Sequence, residues 1–215
     1  MKNYLSFGGG VNSVALYFLL KEQGIEFEAV YVDHGCDWPE TREYVRQFAE
    51  RFPLTIINPN VRSREGKIFN NLFDYCYFKR VIPSVKHRWC TERWKVKVIE
   101  QYVEKPCFVL LGIDAGESHR ARIGSNNGME NRYPLIEAGI NREKCKDLIR
   151  KHGYEVPQKS GCFFCPYQRI TQIRRLRYKH PDLICKIREL ESRVSKKVGR
   201  PFGLFKVPID ALLQE

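Results

Sequence analysis

Two short stretches carry residues whose types and spacing could do chemistry. The first is "KSGCFFCPYQ" (159–168), where Cys162 and Cys165 form C-x-x-C. That spacing lets one turn offer two thiolates to a single metal ion or cluster. A pair supplies only two ligands, so the others must come from elsewhere. Cys90, in the polar segment "RWCTERWKVK" (88–97), and Cys145, in the helix expected just before the turn, are the candidates. Four thiolates suit zinc or an iron–sulfur cluster. A dithiol redox pair would want a thioredoxin-like context, which this segment lacks. Cys36, Cys76, Cys107 and Cys185 fall in apolar or helical surroundings and read as small buried hydrophobes.

The second stretch is "SFGGGVNSVALYFLLKEQG" (6–24). Three glycines follow a β-type run and precede a helical pattern. Backbone N–H groups at such a turn point beyond the helix N-terminus, whose partial positive charge suits phosphate. Glycine permits close approach and positive φ. The turn is neither G-x-x-x-x-G-K-[ST] nor G-x-G-x-x-G, because no Lys-Ser/Thr follows and Ser13 holds the last position. The bland alternative is a tight turn without a ligand.

The elements that would position these stretches are legible. Strand patterns at 3–7, 27–33 and 54–58 alternate with helical patterns at about 12–23 and 39–52, the latter with Pro39 in its first turn. This β-α-β-α-β order predicts a parallel sheet doubly wound by helices. Further on, 65–81 and 94–105 read as helices and 107–114 as a strand. A Gly-, Ser- and Asn-rich loop covers 112–129, and an Asn-capped helix covers 141–153. The expected organisation is a nucleotide-binding α/β domain over 1–135 and a Cys-containing basic helical extension over 136–215 packed on it.

Hydrophobic residues make up 43%, enough for a packed core, and no apolar run is long enough for a membrane helix. "MKNYLSF" lacks a signal-peptide layout, which leads us to expect a cytoplasmic protein; eight cysteines are many for one, and since disulfides are disfavoured there they read as core filler, metal ligands or reactive groups. The net charge of +12 fits a polyanionic partner. Much of it falls in 169–200, which holds Arg169, Arg174, Arg175, Arg177, Lys179, Lys186, Arg188, Arg193, Lys196, Lys197 and Arg200, with Tyr178 among them. Such spacing could track a nucleic-acid backbone or could be a solvated helix face.

The glycine turn resembles the S-G-G-x-D-S pyrophosphate loop (PP-loop) of the adenine nucleotide α-hydrolase superfamily, with Gly9, Gly10 and Ser13 matching, Gly8 for the first Ser and Asn12 for Asp. Three more segments resemble the phosphoadenosine phosphosulfate (PAPS) reductase-like members, in order along the chain. These are "YVDHGCDWPETREYV" (31–45), "RWCTERWKVK" and "LGIDAGESHRAR" (111–122), the last with Asp114 where those proteins often have Arg. The resemblance implies a HUP/Rossmann-like fold. It implies ATP or a related adenine nucleotide, with Mg²⁺, held by Phe7, Gly8, Gly9, Gly10, Asn12, Ser13, Asp33, Gly112, Ser118 and Arg120. Lys95, Arg88 and Glu117 would act at the phosphates. It tilts the metal site, Cys90, Cys145, Cys162 and Cys165, toward a 4Fe–4S cluster, with Zn²⁺ as the alternative.

The activity implied is cleavage or formation at the α-phosphate with release of pyrophosphate, serving sulfur transfer to an acceptor that could be nucleic acid. The expected partners are that acceptor, a sulfur donor or reductant protein and a second copy of the chain, with no membrane. Adenylyl-sulfate reduction is an alternative. Thioredoxin-linked PAPS reductases carry a Cys in a C-terminal Glu-Cys-Gly-x-His tail, whereas here no Cys follows Cys185. A zinc-stabilised, non-catalytic nucleotide- or nucleic-acid-binding module is the other alternative.

Overall fold

A computed structural model describes residues 1–122, 125–205 and 207–214. Its strands are β1 (Lys2–Phe7), β2 (Glu28–Val32), β3 (Thr55–Ile57), β4 (Val61–Arg62), β5 (Ile68–Phe69), β6 (Cys107–Leu111), β7 (Ser125–Asn126) and β8 (Met129–Arg132). Its helices are α1 (Val11–Glu22), α2 (Pro39–Arg51), α3 (Leu72–Lys79), α4 (Trp89–Thr91), α5 (Lys97–Tyr102), α6 (Pro134–Glu137), α7 (Arg142–Lys151), α8 (Ile170–Lys179), α9 (Pro181–Val198) and α10 (Ile209–Leu213). A π-helical turn spans Glu92–Val96 and a 3₁₀ turn spans Ala115–Arg120.

The chain divides into two compact units. The first comprises 1–33, 37–58 and 97–160. The second comprises 34–36, 59–96 and 161–215. This differs from the expected break at 135. Cys145 and Ile149 of α7 are buried in the same apolar cluster as α1, so residues 136–160 complete the α/β unit.

The first unit is built on a sheet of order β3-β2-β1-β6-β8-β7. Five strands run parallel and β7 pairs antiparallel with β8 at the edge. This is the doubly wound α/β architecture expected from the alternating pattern. The amphipathic expectation for α1 is exceeded, because every residue from Val11 to Leu20 is buried. Burial on all sides is what a central helix between a sheet and a neighbouring helix requires. Phe7, Tyr17 and Phe48 interlock, with Phe7 and Phe48 centroids 4.8 Å apart and Tyr17 edge-on to Phe48 at 5.0 Å. Asn141 caps α7 by accepting the Lys144 N–H at 3.0 Å, as its position predicts.

The second unit departs further from expectation. The helix read over 65–81 is only Leu72–Lys79, and β4 and β5 form a hairpin before it. Asn71 sets the true start, its Oδ1 accepting from Phe73 N–H at 2.8 Å and Asp74 N–H at 3.2 Å. The helix read over 94–105 opens as the π-helical turn that buries Trp94, and only then becomes α5. Residues 123 and 124 of the expected 112–129 loop lie outside the described residues. No helix among the described residues is long and apolar enough to cross a membrane.

Candidate functional site

In the first unit, β1 delivers the glycine turn to the N-terminus of α1. The opening N–H groups of any helix lack intrahelical acceptors. Ser13 closes the turn from within. Its Oγ accepts the N–H groups of Gly8 and Gly10, each at 3.2 Å, and donates to Gly10 O at 3.0 Å. A hydroxyl has one proton and two lone pairs, so Ser13 is fully engaged and locks the turn.

The three glycines answer to different demands. At Gly9, φ is +65° and a Cβ would lie 2.7 Å from Val45 Cγ2 and 3.2 Å from Thr41 Cγ2, so α2 packs against its backbone. At Gly10 a Cβ would come within 2.5 Å of Ser160 Oγ. At Gly8 nothing lies nearer than Ser13 Oγ at 4.0 Å, so Gly8 alone of the three faces open space. Gly112, ending β6, is also a close approach: its Cβ would sit 2.9 Å from Ser13 N.

The two positions that depart from the resembled loop pattern, Asn12 and Asp114, meet in the interior. Asn12 Nδ2 donates to Asp114 Oδ2 at 2.8 Å, and Asp114 Oδ1 accepts the Gly116 N–H at 2.9 Å. A carboxylate at position 12 would face another carboxylate. Asn12 Oδ1 in turn accepts from Arg142 Nη1 at 3.0 Å. Arg142 begins α7 and is exposed, so Asn12 holds a cation beside the first turn of α1. Arg142 carries no motif, and sequence reading missed it; the signal available was a cation directly after a helix cap.

The remaining expected nucleotide residues of this unit are dispersed in role. Phe7 is core. Asp33 follows β2, with Arg42 Nη2 at 3.4 Å from its carboxylate. Glu117 pairs with Arg120 at 2.7 Å within the 3₁₀ turn that also holds Ser118. A cavity of about 370 Å³ opens beside Gly9, but Glu40, Glu43 and Glu155 line it with no Lys or Arg, a poor match to phosphate. Cys145 is fully buried, and burial together with Asp114 pushes its thiol up to about 12. It packs as a core thiol.

In the second unit the cysteine turn is tied by its backbone. Cys165 N–H donates to Cys162 O at 3.2 Å, and Gln168 Nε2 donates to Cys162 O at 2.8 Å and Phe163 O at 2.7 Å. Phe163 N–H donates to Cys36 O at 2.9 Å. Phe73 packs on both Phe163 and Phe164. Cys162 and Cys165 are half-buried. His34, buried, places Nε2 3.6 Å from Cys162 Sγ. Cys36 N–H points at His34 Nδ1 at 3.3 Å.

Cys90 is half-buried just after Arg88, which sits in the left-handed region at φ +44° with its guanidinium 5.8 Å over Tyr167. Lys95 lies in the π-helical turn. Cys76 is held far above the ordinary thiol range, first by burial and then by its neighbours Cys36 and Cys90. The second unit therefore gathers Cys36, Cys76, Cys90, Cys162 and Cys165, while Cys145 belongs to the first. Cys36 and Cys76 are buried as expected, and so is Cys107 in the first unit; Cys185 is exposed, contrary to expectation. His34 was also missed, since a lone His beside Gly gives no spacing signal.

The fold has a counterpart among solved structures. A crystal structure of PAPS reductase from Candida auris, a phosphate complex, superposes with a TM-score of 0.52 over 76% of this chain and 82% of that one, at 15% identity. The chain has a PAPS reductase-like fold. No protein-family model matches it. Two uncharacterised proteins of Methanocaldococcus jannaschii are similar, 24% identical over 86% of this chain and 26% over 83%. The chain spans 47% and 39% of their lengths, about half or less of each.

Proposed function

We propose that this PAPS reductase-like chain is an enzyme that binds ATP or a related adenylate at the glycine turn and works at the α-phosphate. The observation that carries this is the open face at Gly8, at the N-terminus of α1 and the carboxyl end of a parallel strand, with Arg142 tethered beside it by Asn12. An acceptor oxygen attacks the α-phosphorus, the bond to the bridging oxygen breaks, and pyrophosphate leaves with both electrons of that bond. Backbone N–H groups, the helix terminus and Arg142 stabilise the leaving charge. Mg²⁺ would arrive with the nucleotide, since both Asp114 oxygens are engaged. A sulfur nucleophile then displaces AMP from the activated acceptor.

Cys90, Cys162 and Cys165 would hold the metal group, a 4Fe–4S cluster or zinc. The chemistry of the donors suits either group: three half-buried thiols belong to one unit, and the pair sits on a turn whose backbone is already bonded. Bound there, a cluster would supply an iron site for sulfur, and zinc would supply a structural clamp.

Adenylyl-sulfate reduction is the second reading, favoured by the fold match. It would release sulfite and AMP at the expense of two electrons from a thiol reductant. One assay separates the two. Anaerobically purified protein is given ATP, or adenylyl sulfate with dithiothreitol, and AMP, pyrophosphate and sulfite are measured. AMP and pyrophosphate from ATP are expected. Sulfite at comparable or greater rates would install the reductase reading, and ATP binding without any product would leave a binding module.

A further inference from the structure

Cys162 has a neighbour that a count of thiols leaves out. His34 is 1% exposed, and its Nε2 stands 3.6 Å from Cys162 Sγ. Both residues belong to the second unit. The backbone of 34–36 is fastened on two sides. His34 O accepts the Leu72 N–H at 3.0 Å, and Cys36 O accepts the Phe163 N–H at 2.9 Å. Between them Gly35 turns at φ +75°, where a Cβ would lie 2.4 Å from Asn71 Nδ2. The main chain therefore holds the imidazole beside the cysteine turn before any ligand arrives.

The spacing of the two donors separates one kind of metal group from the other. In a tetrahedral zinc site, bonds of about 2.3 Å to sulfur and about 2.0 Å to nitrogen set the N···S edge at about 3.5 Å. In a 4Fe–4S cluster each iron takes one protein ligand, so ligands on neighbouring irons stand much farther apart. A distance of 3.6 Å suits two donors that share a single ion. Cys165 N–H donates to Cys162 O at 3.2 Å, closing a four-residue turn whose end Cα atoms lie within about 7 Å. Within that reach, rotation of the Cys165 side chain can bring its sulfur to the same ion. The remaining thiols of this unit sort by their surroundings. Cys36 and Cys76 are fully buried, and Cys36 Sγ accepts the Phe73 N–H at 3.1 Å. Cys185 stands on α9 beside Arg188. Half-buried Cys90 is left.

We propose that His34 is a metal ligand, completing with Cys90, Cys162 and Cys165 a mononuclear Cys₃His zinc site in the place expected of Cys145. This rests on the reading that the cysteine turn holds a metal, and it is independent of the adenylate chemistry. Zinc on Nε2 leaves the ring proton on Nδ1. Cys36 N–H reaches Nδ1 at 3.3 Å, a long contact that yields at little cost.

The test is zinc K-edge X-ray absorption on the full chain, with metal and acid-labile sulfide measured on the same anaerobic preparation. About one zinc per chain is expected, with one nitrogen at about 2.0 Å and three sulfurs at about 2.3 Å. Competition against a chromophoric chelator then reads the affinity. H34A should weaken zinc binding by more than the roughly 10–100-fold that loss of an outer partner costs. H34C should restore the affinity and give four sulfurs, which shows that the loss in H34A is a lost ligand and not a lost fold. C145S should leave both the affinity and the spectrum unchanged. Four sulfurs in the wild-type chain, an affinity indifferent to H34A, or iron with sulfide in place of zinc would overturn the proposal and leave a metal at the cysteine turn. A wild-type chain that binds neither metal would end both readings.

Discussion

At the glycine turn the side chains are occupied, Ser13 also takes the Gly8 and Gly10 N–H groups, and the first N–H groups of α1 are left to act. Ser13 is fully bonded, Asn12 bridges Asp114 and Arg142, and two of the three glycines are filled by neighbouring side chains. The cysteine turn is held differently. Backbone bonds from Cys165, Gln168 and Phe163 fix the main chain, and the two thiols are half-buried, with Cys162 Sγ 3.6 Å from the His34 imidazole. A site that works through backbone N–H groups needs side chains that hold the turn rigid. A site that works through side-chain sulfur needs a main chain that asks nothing of them. On the proposed reading the two turns would serve different tasks, phosphate at one and soft metal or sulfur chemistry at the other.

The sharpest way to break this contrast is Gly9→Val. The substitution forces a β-branched residue to φ +65° and sets its Cβ 2.7 Å from Val45. Strain and overpacking together should cost about 4 kcal/mol, read by urea denaturation. Gly8→Ala should cost under about 1 kcal/mol, because its side is open. Equal costs would mean that the glycines are not serving different demands.

Asn12→Asp comes next. It sets two carboxylates against each other in the interior, at an expected cost of about 3 kcal/mol at neutral pH. Like charges raise the pKa of one member of such a pair. The folded variant then keeps a proton that its unfolded chain releases, so the deficit should shrink as pH falls below that raised value. The swap N12D/D114N should recover most of the loss, since it restores one amide and one carboxylate. No recovery would show that Arg142 requires the amide specifically.

The cysteines give a gentler probe. The Cys145 thiol stands at about 12 in the fold against an ordinary 9. The folded chain holds this proton where the unfolded chain gives it up. Its contribution to stability is therefore complete below about 9 and lost as pH rises through about 12. At pH 8 its thiolate fraction should be about a thousandfold below that of an ordinary thiol. Iodoacetamide should label Cys162 and Cys185 of chelator-treated protein well before Cys145, followed by peptide mass spectrometry. Labelling of Cys145 in step with Cys185 would place it outside the core and return it to the ligand candidates.

Local patterns in the sequence make the α/β architecture legible. Strand runs at 3–7 and 27–33, the glycine turn and the Asn141 cap each depend on near neighbours in sequence, and each stands where it was read. What escaped depends on distant partners. The pairing of Asn12 with Asp114 spans 102 residues and that with Arg142 spans 130, and His34 meets Cys162 across 128. The hairpin before α3 was hidden because "EGKIFNN" has helical periodicity, while Gly66 at φ +86° and the Asn71 cap override it. Cys145 looked like a ligand by proximity to the C-x-x-C pair in sequence, yet its helix belongs to the α/β core.

Arg142→Gln should have the smallest effect on stability and the most selective effect on binding. Arg142 is exposed, and a single bond to Asn12 Oδ1 at 3.0 Å holds it. Its loss should change stability by no more than about 0.5 kcal/mol. A guanidinium that meets phosphate makes charge-assisted bonds worth about 1.5–3 kcal/mol, so calorimetry should show pyrophosphate and ATP binding about ten to a hundredfold weaker. Adenosine binding should not move, because Arg142 stands beside the phosphate end of the site, at the first turn of α1. Asn12→Ala should reproduce part of the loss by releasing the guanidinium, and R142Q/N12A should be no weaker than R142Q alone, since the amide acts only through the cation it holds. Equal losses for ATP and adenosine would instead make Arg142 a brace for the turn, and the backbone N–H groups of α1 would have to carry the phosphate charge without it.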